Sequence, residues 1–218
     1  MIRTPRKTIF QILLSAAGSL FLLLASGCYP IAATPEEAAT YSALHQNRQN
    51  FQVDPNTLQV LQSTEVNQST LVLIAYQGKD TRFGSQSCLD VYEIRKGFLG
   101  GYRMFSSGSG CTSEGSDQPM EPLTYGSNTS GGNQPKDTGY SCVNGQIFQD
   151  KIQHVLVTWD DGVQQEATLQ NDSFLAARSG NHDLKKIEAL DASDQLIYRT
   201  EPAVAPEKQQ TEENNGNR

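Results

Sequence analysis

The stretch IQHVLVTWDDGVQQEATLQ, residues 152–170, decides between a helical and a sheet reading of this chain. Its first half is rich in β-branched residues, its second half alternates, and Asp-Asp-Gly stands between them, which is the pattern of a hairpin. The register follows from which side chains must share a face. A two-residue Asp161-Gly162 turn sets His154 opposite Leu169 and Asp160 opposite Val163, mixing apolar with charged groups. A three-residue Asp160-Asp161-Gly162 loop, a type I turn closed by a left-handed glycine, instead pairs Trp159 with Val163, Val157 with Gln165 and Val155 with Ala167. That register gathers Val155, Val157, Trp159, Val163 and Ala167 on one face and leaves Thr158, Gln164 and Glu166 on the other. A one-residue slip would move every side chain to the wrong side, so the three-residue loop is expected. Asp160 and Asp161 then serve the turn, which argues against a metal or acid role for them.

The same reading extends outward on both sides. TLQVLQS, STLVLIAYQ, SCLDVYEIR, FLGGYRMFSS, SFLAAR, LKKIEAL and QLIYR are rich in Val, Ile, Leu, Tyr and Thr and are punctuated by Gly, Asn and Asp. None carries a helical stripe over a dozen residues. Short strands in this number predict an all-β fold, an antiparallel β-sandwich-like single domain over residues 51–200. A short N-terminal helix precedes it and a disordered C-terminal tail follows.

The N-terminus has its own logic. Arg3, Arg6 and Lys7 precede an apolar run and the small residues Ala25, Ser26 and Gly27, the order of an export signal. The apolar core falls short of the roughly 20 residues a spanning helix needs. Leu24-Ala25-Ser26-Gly27-Cys28 resembles the lipobox of bacterial lipoproteins. The resemblance implies cleavage before Cys28 and a lipid on its sulfur, and it places the protein at the bacterial cell envelope, anchored on the exported side of a membrane. Tyr29 rather than aspartate after the cysteine points to the outer membrane in a diderm. Two or more acyl chains would make that attachment stable where one would not. The competing reading is a soluble secreted protein, because four cysteines can pair completely whereas lipidation leaves Cys88, Cys111 and Cys142.

Residues 1–27 are thus read as a signal peptide and 28–50 as a tether containing a helix. Within the tether Thr34 is the N-cap, Pro35 the first helical residue and Glu37 the partner of a capping box, with Ala38, Tyr41 and Leu44 as its apolar residues. Residues 201–218 hold Pro, Gln, Glu and Asn with almost nothing to bury, and are read as a disordered tail.

Inside the domain, residues 107–140 are dense in Gly, Ser, Asn and Pro and show no apolar period, so they read as one long loop. Cys111 and Cys142 flank it, and a bridge between them would contribute about 3 to 4 kcal/mol by pinning the loop. A Cys88 to Cys111 bridge across the preceding hairpin is the alternative. Tyr125 and Tyr140 in this segment, with Tyr102 and Phe105 on the strand leading into it, mix rigid aromatics with adaptable polar groups, as binding loops do. The competing role for these aromatics is to cap the core beneath the loop.

Composition narrows the function further. The formal charge of −7 becomes −10 once the leader's three cations are gone, which disfavours nucleic acid. His45, His154 and His182 are scattered, and no H-E-x-x-H, C-x-x-C, G-x-S-x-G, S-x-x-K or G-K-[ST] motif is present. No catalytic residue, cofactor or metal is therefore assigned, although Asp191, Asp194 or the central segment could hold a weak ion. The expectation is a non-enzymatic binding module that meets an envelope protein, glycan or small ligand through the 107–140 segment. The alternative is an exported hydrolase or transferase with a dispersed active site, which would show titratable groups clustered in one deep cleft.

Overall fold

The computed structural model of the protein describes residues 32–46, 48, 50–98, 100–113, 122–130 and 139–201. The expected leader, Cys28 and nearly all of the expected C-terminal tail lie outside these. Among the described residues there are one helix, α1 (Pro35–His45), and thirteen strands. They are β1 (Phe51–Val53), β2 (Gln59–Val66), β3 (Ser69–Asp80), β4 (Gly84–Lys96), β5 (Tyr102–Ser113), β6 (Leu123–Ser130), β7 (Tyr140–Ile147), β8 (His154–Trp159), β9 (Gln164–Glu166), β10 (Thr168–Gln170), β11 (Ser173–Ser179), β12 (Leu184–Leu190) and β13 (Leu196–Thr200). All pairings are antiparallel. Among the described residues no helix is long and apolar enough to cross a membrane.

Three sheets result. Sheet A runs β1-β3-β4-β5, with β2 sharing the β3 edge that β1 uses further along. Sheet B runs β10-β11-β7-β6 and sheet C runs β13-β12-β8-β9. The strands β9 and β10 are a single extended segment broken at Ala167, with its first half in sheet C and its second in sheet B. Sheets B and C therefore curl into a half-barrel, closed over Leu123, Val143, Val155, Val157, Trp159, Phe174 and Ile187.

Sheet A covers the other face of sheet B. Leu71, Leu73 and Val91 meet Tyr140, Cys142 and Leu175 there. The opposite side of sheet A holds Val72, Ile74, Tyr76, Tyr92 and Ile94 against α1. The run Leu71 to Ile74 is thus apolar without interruption because the strand is buried on both faces.

The 152–170 hairpin has the expected register. Val157 opposes Gln165, the Trp159 amide donates to the Val163 carbonyl at 2.9 Å, and Gly162 lies at φ +84°. Val155, Val157, Trp159 and Ala167 are buried as expected. Val163 is not. It is 47% exposed, because it closes the loop at the end of an edge strand with no second layer over it. The helix also starts as expected: the Thr34 hydroxyl accepts from the Glu37 amide at 3.2 Å, and the Glu37 carboxylate accepts from the Ala33 amide at 2.9 Å.

Three expectations are corrected. Residues 107–140 are not one long loop, because β5 continues to Ser113, β6 fills Leu123–Ser130 and β7 begins at Tyr140. Glycine hid these strands by serving close packing: a Cβ on Gly108 would sit 2.4 Å from the Asn128 side chain, and one on Gly145 would sit 2.0 Å from the Thr124 carbonyl. The disulfide is Cys88–Cys111, not Cys111–Cys142. Cys88 and Cys111 stand directly opposite on β4 and β5 with Cα atoms 4.1 Å apart, whereas Cys142 points into the core between sheets A and B as a buried free thiol. Finally, α1 is docked and not part of a free tether. Its contact face is Ala38, Ala39 and Ala43, small enough to lie flat on sheet A, while Tyr41 and Leu44 face outward.

Candidate functional site

Sheets A and B meet tightly at one end and part at the other, because the residues that face across the gap change character along each strand. On β7 the inward positions run Tyr140, Cys142, Asn144, Gln146; on β3 they run Leu71, Leu73, Ala75, Gln77. The apolar members pack together, and the polar members line an open cleft of about 730 Å³. Leu61, Ala75 and Leu89 mark where core becomes cleft.

The walls of the cleft are amides, hydroxyls and glycines. Gln59, Gln77, Ser87 and Thr112 come from sheet A; Thr124, Asn128, Asn144 and Gln146 come from sheet B; Gly108, Gly110, Gly126 and Gly145 expose main chain. The β10–β11 turn closes one side with Asn171 and Asp172 at φ +49° and +55°, the primed two-residue turn that suits a hairpin. On the β2–β11 side of the cleft Gln62 ties the sheets together, donating to the Ser173 carbonyl at 3.3 Å and to its hydroxyl at 3.4 Å. Asp172 is the one charged residue among the described residues that line the cleft.

One group in this lining lacks what its position demands. Asn144 is 6% exposed, and its Oδ1 is buried with no hydrogen-bond partner. A buried carbonyl oxygen left unpaired costs about 1–3 kcal/mol, so such a group calls for a partner to explain it.

The aromatic residues expected to form a binding surface are not brought together. Tyr102 packs with the α1 layer, Tyr125 packs against the half-barrel core while bordering the cleft, and Tyr140 is buried between sheets A and B. Phe105 is exposed, with the Arg95 guanidinium over its ring at 3.5 Å. The sequence reading missed Asn144, Gln146, Thr124 and Gln77. The signal present was the alternation of Val143 and Ile147 with polar residues along YSCVNGQI, which glycine and asparagine concealed.

The histidines are engaged elsewhere. His45 contacts the Tyr41 carbonyl through Nδ1 at 2.9 Å, and His154 meets Glu166 at 2.6 Å, a hydrogen bond that raises its pKa. His182 lies 3.3 Å from Asp160 and, with Asp161, completes a three-residue cluster of metal-ligating type. Arg178 already holds both oxygens of Asp161 at 3.0 Å and keeps its carboxyl below the usual range. The Asp191 carboxylate accepts from the Ser193 and Gln195 amides, a turn-forming role. Away from these, Asp90 is fully buried on the α1 side of sheet A under Arg48, Tyr76 and Tyr92.

The cleft can therefore offer a ligand hydrogen-bond donors and acceptors with little charge, and its described lining holds no pair of carboxylates and no imidazole. Compared with known proteins, the chain matches no family model, no curated protein and no solved structure.

Proposed function

We propose that this protein is an exported lipoprotein whose domain binds a neutral, hydroxyl-rich ligand, a glycan, in the cleft between sheets A and B. The observation that carries the ligand class is Asn144, a buried amide with an unpartnered oxygen in a wall of other uncharged amides and hydroxyls. A sugar hydroxyl both donates and accepts, and so satisfies such a wall without introducing charge. A hydrolase or transferase would need an acid, base or nucleophile at the ligand, and Asp172 is the single carboxylate among the described lining residues.

Calorimetry with chitotetraose and maltotetraose as probes tests the ligand. Binding of at least one is expected, together with its loss in Asn144→Leu, while the variant's stability is unchanged or raised because the unpaired oxygen is gone. Equal binding by Asn144→Leu, or none by the wild type up to millimolar probe, would reject the assignment.

The anchor is supported by the cysteine arithmetic. With Cys88 bridged to Cys111 and Cys142 sealed in the core, Cys28 has no thiol partner among the described residues. Burial pushes the Cys142 thiol up to about 12, so almost none of it is thiolate at neutral pH. Alkylation of the native protein is expected to add nothing and alkylation in denaturant to add one group, with an intact mass that starts at Cys28 and carries acyl chains. An unacylated mass would return the protein to the soluble secreted class.

A further inference from the structure

The tip of the β4–β5 hairpin is built unlike the rest of this acidic protein. The Gly97 amide donates to the Gly101 carbonyl at 2.9 Å and closes the turn, and Phe98 stands on it with its side chain wholly in solvent. Met104 and Phe105 add exposed apolar surface on the same hairpin. From residue 94 to residue 113 the sequence holds Arg95, Lys96 and Arg103 and no acid, in a chain whose net charge is −7. Arg95 and Arg103 oppose each other directly across the strands. Like charges so placed are unfavourable unless an anion meets them. Glu93 meets Arg95 at 2.6 Å; among the described residues Lys96 and Arg103 have no carboxylate partner.

The start of the domain lies at the same place. The Tyr102 amide donates to the Ala32 carbonyl at 2.9 Å, so the chain enters the fold beside this turn. Cys28 is four residues earlier, a reach of at most about 14 Å. A lipid on Cys28 would hold the bilayer surface within range of Phe98 and no farther.

We infer that the β4–β5 tip is a membrane-seating element: Phe98 enters the interface of an anionic bilayer while Lys96 and Arg103 meet lipid headgroups. The position of the bilayer rests on the lipid reading of Cys28; the lipid affinity of the tip does not. The orientation that follows is definite. Ser87, on the rim of the cleft, is nine residues along β4 from Lys96, so the cleft is carried about 30 Å above the bilayer and faces away from it.

The test uses Phe98→Trp in the acylated protein, reconstituted into phosphatidylglycerol-containing vesicles with brominated acyl chains. The native Trp159 is buried in the half-barrel and serves as the unquenched reference. Quenching of the additional indole emission that Phe98→Trp introduces is expected, and its absence in protein whose mass shows the acyl chains overturns the inference while leaving the anchor intact. In parallel, the unacylated Cys28→Ser chain beginning at residue 28 is expected to sediment with phosphatidylglycerol vesicles, about fivefold less for each of Lys96→Gln and Arg103→Gln. No sedimentation, or sedimentation indifferent to those charges and to Phe98→Ser, also overturns it. Charge-dependent sedimentation of a protein found to carry no lipid would uphold the tip and remove the anchor.

Discussion

Replacing Arg48 by alanine is expected to cost about 3 kcal/mol of stability at pH 7, measured by urea unfolding. The reason is Asp90, whose carboxylate is fully buried and takes the Arg48 guanidinium and the Tyr76 and Tyr92 hydroxyls all on Oδ2, the tyrosines at 2.6 and 3.1 Å. Oδ1 has no partner. Removing the arginine leaves a buried charge with two neutral donors, and it frees the segment after α1, where Arg48 also bonds Gln46 and lies against the Phe51 and Tyr76 rings. Burial already raises the Asp90 pKa, outweighing the hydrogen bonds and Arg48, which lower it. A carboxyl with a raised folded pKa stabilises the fold below its unfolded value, near 3.9, and loses that contribution as pH rises through the folded value. The Arg48→Ala deficit is therefore expected to be largest at neutral pH and to shrink toward pH 4, as Asp90 takes a proton. Asp90→Asn removes the charge and should cost less than Arg48→Ala at pH 7. Equal losses for the two variants at every pH would show that the buried charge is not the cause.

Trp159→Ala is expected to lose about 3 to 5 kcal/mol, seen as a fall in melting temperature of about 10 °C. The indole is 1% exposed and sits where sheet C packs on sheet B, with Val155, Val157 and Ala167 around it. No neighbour can collapse into a space of that size without disturbing the register that Gly162 and the Asp160-Asp161 turn impose. Its Nε1 makes no hydrogen bond, so Trp159→Phe forfeits area but no polar contact and should retain most of the stability. Since this is the chain's one tryptophan, unfolding is followed by far-ultraviolet circular dichroism. A Trp159→Phe loss as large as that of alanine would mean that the indole N–H is partnered in solution.

What could be read from residues alone depended on whether each strand faces one environment or two. The 152–170 hairpin was legible to the pair because one face is core and the other solvent, so only one register satisfies both. The cap of α1 was legible because Thr34, Pro35 and Glu37 act locally. Its docking was not, since nothing local says that Ala38, Ala39 and Ala43 will meet a sheet. Sheet B was half hidden for a different reason. β6 and β7 lie between two other sheets and use Gly126 and Gly145 and the polar Asn128 and Asn144 where a half-exposed strand would use branched residues, so period-2 contrast vanished. The cleft was invisible with them, because its walls are residues of four strands from sheet A and three from sheet B. The cysteine pairing turned on the same point: once residues 107–113 are strand, Cys111 must stand beside Cys88, and Cys142 is carried inside.

The interleaving of sheets B and C governs the order in which an emerging chain can fold. Sheet A uses strands consecutive in the sequence, all before residue 114, and its disulfide closes within that span. Beyond it the chain alternates: β6 and β7 go to sheet B, β8 and β9 to C, β10 and β11 back to B, β12 and β13 to C again. A chain released amino end first has β7 waiting for β11 and β8 waiting for β12, so sheet B cannot complete before Ser179 has appeared, nor sheet C before Thr200. Until then sheet A is paired but uncovered on the side meant for sheet B, and the edges of β7 and β8 are open to pairing with other chains. The half-barrel is therefore the last part to close, and β12 and β13 time it.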